Sequence, residues 1–237
     1  MKIESSTTKQ AVTIKIYQTY YLNEHQDFLD PKFHPLDVSN NPKNEHYEIE
    51  YLKSFFLSQE FLTADYLGLV SWKLADKTRL TANEIFQFVQ NSPGKDLYIF
   101  SKYPHIAKQD FNVWTHGEQR HPGICALADN LFEKAALPFR TSTTGRNDID
   151  SLSWCNFWVG NAKFWSYYGE VLIKLLKTID HMPEDERQKY YDSTLHYGEY
   201  KTPMFPFIFE RLISTILKHN PNFSHITFLQ ANCDILK

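Results

Sequence analysis

Two histidines and a carboxylate stand close together in THGEQRHPG: His116, Glu118 and His121. Side chains of these types ligate a metal or act as general acid and base. The spacing is not HExxH, and on a helix positions 116 and 121 would fall on different faces. Gly117 and Pro122-Gly123 predict a loop or a helix entry, and a loop next to strand ends can still converge these groups on a site. The competing reading is a set of loop hydrogen bonds with a Pro-Gly turn. Asn156 is embedded in the apolar run LSWCNFWVGNAKFWSYY over 152–168. A buried amide needs partners, from the protein or from a ligand, or burial costs about 1–3 kcal/mol. Glu210-Arg211 offers a carboxylate that faces inward or forms an ordinary surface ion pair. Lys77, in Asp76-Lys77-Thr78, follows a strand end and has the reach of a mobile cation for phosphate, unless it lies in a solvated turn.

The elements that must position these groups follow from periodicity. Val12, Ile14 and Ile16 alternate with polar residues and predict a strand ending near Tyr17-Gln18-Thr19-Tyr20-Tyr21. A polar, proline-bearing loop runs from Asn23 to Asn44, and a loop that long is often functional. A helix is expected over Glu45–Phe61, where Ile49, Leu52 and Phe56 form a stripe. DYLGLVSWKL over Asp65–Leu74 reads as a buried strand, and Thr81 to Glu84 as a capping box opening a helix. DLYIF over Asp96–Phe100 is a short strand, followed by a helix between Ile124 and Ala136. Pro138–Asp150 reads as loop. A strand over Trp154–Val159 turns at Gly160-Asn161 into a helix ending near Asp180. His181–Lys201 is surface or helix, Phe207–Lys218 a single strong helix, and Ile226–Leu229 an edge strand. Asp65 and Asp96, at strand starts, suit local turn chemistry. Strands alternating with helices indicate an α/β sandwich with a mostly parallel sheet, whose ligand lies at the carboxyl ends of the strands. The polar residues there are Gln18, Ser71, Trp72, Lys73, Ser101 and Lys102.

The 237 residues suit one large domain, here 11–237 after a disordered leader over 1–10. Eighteen Phe and 14 Tyr against eight Gly argue against a glycine-rich phosphate loop, and neither GxGxxG nor GxxxxGK[ST] occurs. A net charge of −3 without a basic block makes nucleic acid a poor partner. Cys125, Cys155 and Cys233 are odd in number and contain no CxxC, which fits a reducing compartment. No signal-peptide pattern and no membrane-spanning apolar run is present, so a cytoplasmic location is expected, with contact to the inner membrane face left open.

Four stretches in order resemble the short bacterial glycosyltransferase-like proteins of surface-polysaccharide gene clusters, which have a GT-A-type fold: IKIYQTYY, DYLGLVSWKLADKT, DLYIF with NVWTHGEQRHPG, and WCNFWVGNAKFW with FPFIFERLIS. The resemblance spans most of 12–218. It implies a mostly parallel GT-A-like (Rossmann-like) sheet flanked by helices, and transfer of a sugar from a nucleotide sugar to a hydroxyl of a lipopolysaccharide or capsule glycan, free or lipid-linked. It implies donor contacts from Tyr17, Gln18, Ser71, Trp72, Lys73, Arg146 and Asn156, and an acid–base set of His116, Glu118, His121 and Glu210. Metal-dependent members carry Asp-x-Asp after a central strand, where this chain has Ser101-Lys102. The one Asp-x-Asp is Asp148-Ile149-Asp150, which either holds Mg or Mn on the donor diphosphate or lies in a solvated loop. Without a metal, Lys73, Lys102 or Arg146 must neutralise the leaving diphosphate. Two alternatives stand beside the transferase: a non-catalytic carbohydrate- or nucleotide-binding protein on the same scaffold, and a metal-dependent hydrolase using His116, Glu118 and His121.

Overall fold

The computed structural model describes residues 12–100, 104–153, 155–196 and 200–228. The expectations for the 1–10 leader and for Ser101, Lys102, Trp154 and Cys233 lie outside these residues. Strands β1 (Ile14–Tyr20) and β2 (His34–Asp37) are followed by α1 (Ile49–Leu57), β3 (Tyr66–Ser71), α2 (Leu74–Thr78), α3 (Ala82–Asn91) and β4 (Leu97–Ile99). Next come α4 (Pro104–Gln109), α5 (Val113–Arg120), α6 (Ile124–Lys134), β5 (Trp158–Gly160), α7 (Ala162–Asp180) and α8 (Glu184–Tyr191). A hairpin of β6 (Ser193–His196) and β7 (Tyr200–Pro203), then α9 (Phe205–Phe209), α10 (Leu212–His219) and β8 (His225–Thr227) complete the order.

Six strands form a sheet in the order β2-β1-β3-β5-β4-β8. All pairings are parallel except those of β5, which runs against both neighbours. The expected mostly parallel α/β sheet is therefore the observed one. The larger core lies on one face, where Leu67, Leu69, Ile99 and Trp158 meet α1, α5, α6, α7, α9 and α10. The opposite face carries a smaller cluster of Ile16, Val70, Tyr98 and Val159 under α3.

Four expectations are corrected. The Asn23–Asn44 loop contains β2, an edge strand whose position tolerates Pro35. THGEQRHPG is mostly helix, because Asn112 caps α5 by accepting from Trp114 N and Thr115 N, at 2.9 Å each. The strand expected from Trp154 begins only at Trp158, since Cys155 and Asn156 are left-handed, with φ of 65° and 51°. The single helix expected over Phe207–Lys218 is two, α9 and α10, parted at Glu210 and Arg211.

Candidate active site

The antiparallel run of β5 brings its approach segment to the carboxyl ends of the parallel strands. Ile99 of β4 pairs with Trp158, and Phe100 N donates to Phe157 O at 2.8 Å, so Asn156 arrives at the middle of that rim. Its side chain is 2% exposed, and its Nδ2 donates to Glu48 Oε1 at 2.8 Å. Among the described residues its Oδ1 has no hydrogen-bond partner, nor has the hydroxyl of Tyr168, which is buried within electrostatic reach of Glu48. A non-glycine residue at positive φ costs about 1–3 kcal/mol, and such strain concentrates at functional sites. Three of these residues, Tyr47 (φ 48°), Cys155 and Asn156, bracket Glu48 in this region.

Glu48 is placed by the turn before α1. His46 is buried there, stacked on Phe205 at 4.2 Å, with Nδ1 2.6 Å from Glu50 Oε1 and Nε2 2.8 Å from the Tyr191 hydroxyl. Glu210 is placed by the break between α9 and α10. Arg211 turns inward, 4% exposed, and donates from Nε to Val113 O at 3.0 Å and from Nη1 to Phe207 O at 2.6 Å. Its guanidinium needs Gly117: a Cβ there would lie 2.6 Å from Arg211 Nε. Glu210 then joins Glu48. Burial, and next the Glu48 charge, push its carboxyl up to about 7, against the pull of Arg211 and Lys77. Lys77 completes the group. Its Nζ lies 3.6 Å from Cys155 Sγ, and although burial opposes its charge, Cys155, Glu210 and Glu48 together raise its pKa.

A second group lies at the ends of β1 and β3. Trp72 stacks on His25 with centroids 3.9 Å apart, Phe28 tilts onto Trp72, Tyr21 meets His25 edge-on, and the Lys73 ammonium sits 5.0 Å from the indole. Ser71 Oγ accepts from Lys73 N at 3.3 Å. Gln18 is buried mid-strand, accepts from Asp30 N at 2.8 Å and lines a recess of about 180 Å³ with Phe33 and Pro35. Tyr17 points to the α1 face, packs on Phe55 and donates to Glu60 Oε1 at 2.7 Å, so it sits apart from the rim.

The remaining expected residues do not join either group. Both oxygens of Glu118 accept backbone N–H groups at the start of α6, from Gly123 at 2.7 Å and Cys125 at 3.0 Å. His121 is buried and stacked on Phe207 at 3.7 Å. His116 lies near Arg211, and burial, then the Arg211 charge, bring its pKa down to about 4. Arg146 donates to Ala107 O and Lys108 O at the end of α4, at 3.2 Å each. Asp148 Oδ1 accepts from Ser151 N and Oγ, and Oδ2 lies 3.4 Å from Lys218 Nζ. The Asp150 side chain is exposed, and its backbone carbonyl accepts from Thr227 Oγ1 at 2.9 Å. An Asp148 already engaged by a hydroxyl, an amide and an ammonium is a poor fit for a hard divalent cation. No group of three or more metal-ligating side chains occurs among the described residues, and no helix among them is long and apolar enough to cross a membrane.

The arrangement thus holds two carboxyl groups, one of them near neutrality, with a cation and a buried amide on the rim. That set can take a proton at neutral pH and offset a developing negative charge. Sequence reading overlooked Glu48, one of three acids in NEHYEIE, and Cys155. No local signal marks Glu48, whose partner Asn156 lies 108 positions away in the chain.

No protein-family model and no curated protein sequence matches the chain. Among solved structures, the fold is similar to that described as "WbbM bifunctional glycosytransferase apo structure", with a TM-score of 0.53 and 14% identity over 91% of this chain. The match covers 44% of that protein, so the chain spans less than half its length. At this identity the likeness is one of fold: a mixed α/β body with a six-stranded sheet, similar to a glycosyltransferase fold.

Proposed function

We propose that the chain transfers a sugar from a nucleotide-sugar donor to a hydroxyl of a glycan acceptor, of the kind found in surface lipopolysaccharide or capsule. The observation that carries this reading is the Glu48–Glu210 pair, gathered with Lys77 and Asn156 where a sheet of this fold binds ligands. In the transfer, the bond between the anomeric carbon and the diphosphate oxygen breaks as the acceptor oxygen bonds to that carbon. Glu210, with an affinity for protons near neutrality, takes the hydroxyl proton. Lys77 offsets the charge that builds on the departing nucleoside diphosphate. Asn156 holds Glu48 in place by its 2.8 Å bond, and the charge of Glu48 keeps Glu210 basic. The aromatic group around Trp72 offers a stacking surface for the base of the donor.

Calorimetric titration with a panel of nucleotide sugars and nucleoside diphosphates tests the reading, together with release of diphosphate in the absence of acceptor. Binding with slow hydrolysis is expected. Failure of every nucleotide to bind at millimolar concentration refutes it, and binding without any hydrolysis or transfer favours a non-catalytic binder on the same scaffold.

A further inference from the structure

We propose that Tyr47 is a fixed aromatic platform on which a hexopyranose ring stacks beside the Glu48–Glu210 pair. The inference deepens the transferase reading and rests on it for the role of the bound sugar, though not for the binding itself.

Tyr47 is 46% exposed, between His46 and Ile49, which are each 1% exposed. An exposed tyrosine on a turn ordinarily moves freely. This one is tied at three points. Its backbone adopts φ 48° and ψ −132°, a conformation that side-chain-bearing residues rarely take. Its carbonyl accepts from Asn41 Nδ2 at 2.9 Å. Its hydroxyl lies 2.9 Å from Thr202 Oγ1, and Thr202 is 5% exposed on β7. The ring therefore spans from the turn to the hairpin with both ends anchored. It loses little freedom when a ligand settles on it, the condition under which aromatic contacts are most productive.

The anchoring also selects the ligand. With its hydroxyl bonded to Thr202, Tyr47 presents chiefly the ring itself, whose electron-rich face suits a surface of C–H groups. A hexopyranose has such a surface, and its edges carry hydroxyls. Glu48 is the next residue, its Cα about 3.8 Å away. A sugar lying on Tyr47 would thus have an acidic residue as the next one along the chain, a type of group that accepts hydrogen bonds from hydroxyls. The exposed rings of Tyr21 and Phe28, after β1, are by contrast engaged with His25 and Trp72. Apolar patches would attract many ligands, whereas a single pinned ring followed in the chain by an acidic residue matches the amphipathic shape of a sugar.

The test is saturation-transfer NMR on the whole chain with methyl glucopyranoside, galactopyranoside and mannopyranoside, and separately with UDP-glucose and UDP-galactose. Expected is transfer to the ring C–H protons of at least one methyl hexopyranoside. It should fall about five-fold or more in Tyr47→Ala and persist in Tyr47→Trp. Tyr47→Leu keeps apolar bulk without the π face and should lose the signal too, which guards against a misfolded alanine variant. Signals on the hexose of the UDP-sugars that depend equally on Tyr47 would assign the platform to the donor sugar; signals limited to the methyl glycosides would assign it to the acceptor. No transfer in the wild type, or equal transfer in wild type, Tyr47→Ala and Tyr47→Leu, overturns the proposal. Tyr47-dependent sugar binding in a chain that hydrolyses no nucleotide sugar would uphold the platform while defeating the transferase reading.

Discussion

Replacing Glu210 by glutamine removes a charge and keeps the shape. The wild-type carboxyl moves from an ordinary 4.5 to about 7 on folding, because burial and the Glu48 charge outweigh Arg211 and Lys77. The folded state therefore holds the proton more tightly than the unfolded one, and stability falls as pH rises from about 4.5 through about 7. The full difference of 2.5 pH units corresponds to about 3 kcal/mol at 1.36 kcal/mol per unit. Glu210 keeps some solvent contact, so part of that is screened, and about 1–3 kcal/mol is the expected gap. Glu210→Gln should match the wild type near pH 5 and exceed it at pH 8, by about 2–8 °C in melting temperature for a domain of this size. His116 runs the other way. Its pKa drops to about 4 on folding, so it adds stability as pH rises from about 4 to 6.5. Wild-type curves alone therefore mix two opposing slopes, and the measurement is the difference between variant and wild type in urea titrations at pH 5, 6, 7 and 8. A difference that stays flat across this range refutes the carboxylate pair. In the same variant, transfer should drop about 10²–10⁴-fold if Glu210 takes the acceptor proton.

Asn156→Gly keeps a backbone at ease with φ 51° and deletes the whole side chain; relief of the backbone offsets part of the lost hydrogen bond, so folding stability should change by about 1 kcal/mol or less while donor hydrolysis falls about ten-fold or more, and equal hydrolysis would refute the positioning of Glu48. Gly117→Ala drives a methyl against the Arg211 guanidinium and should cost about 1–3 kcal/mol in denaturant titration. Gly169→Ala places a methyl against the Phe56 ring between α1 and α7, and thermal melting should register a loss of similar size or larger. The His116 imidazole should stay neutral from pH 6 to 8 by NMR titration, and a midpoint near 6.5 would contradict its burial beside Arg211.

The alternation of strands and helices was legible because buried strands here are short apolar runs and the helices carry clear caps, as at Thr81 and Asn161. Where the pattern misled, a tertiary contact overrode local preference. THGEQRHPG has a glycine that reads as a loop signal, yet Gly117 serves the close approach of Arg211 within a helix. FPFIFERLIS has unbroken helical periodicity, but Arg211 gains two buried carbonyl partners by breaking it. Asn156 and Glu210 stood out as polar groups in apolar surroundings. Glu48 did not, because its distinction is a bond across 108 positions and leaves no trace among neighbouring acids. Glu118 and Asp148 had the right chemistry, but local backbone amides and a serine engage their oxygens.

The rim group draws on residues 48, 77, 155, 156 and 210, none of which shares a helix or strand with more than its immediate neighbour. No contiguous fragment shorter than about two thirds of the polypeptide contains them all. If this group carries the proposed transfer, cutting the backbone in the exposed stretch around Ser142–Thr143 would leave two inert halves, and activity would return only when they reassociate. Under the proposed transferase reading, turnover would thereby report on completed assembly, and a split version would serve as a sensor of whatever brings its halves together.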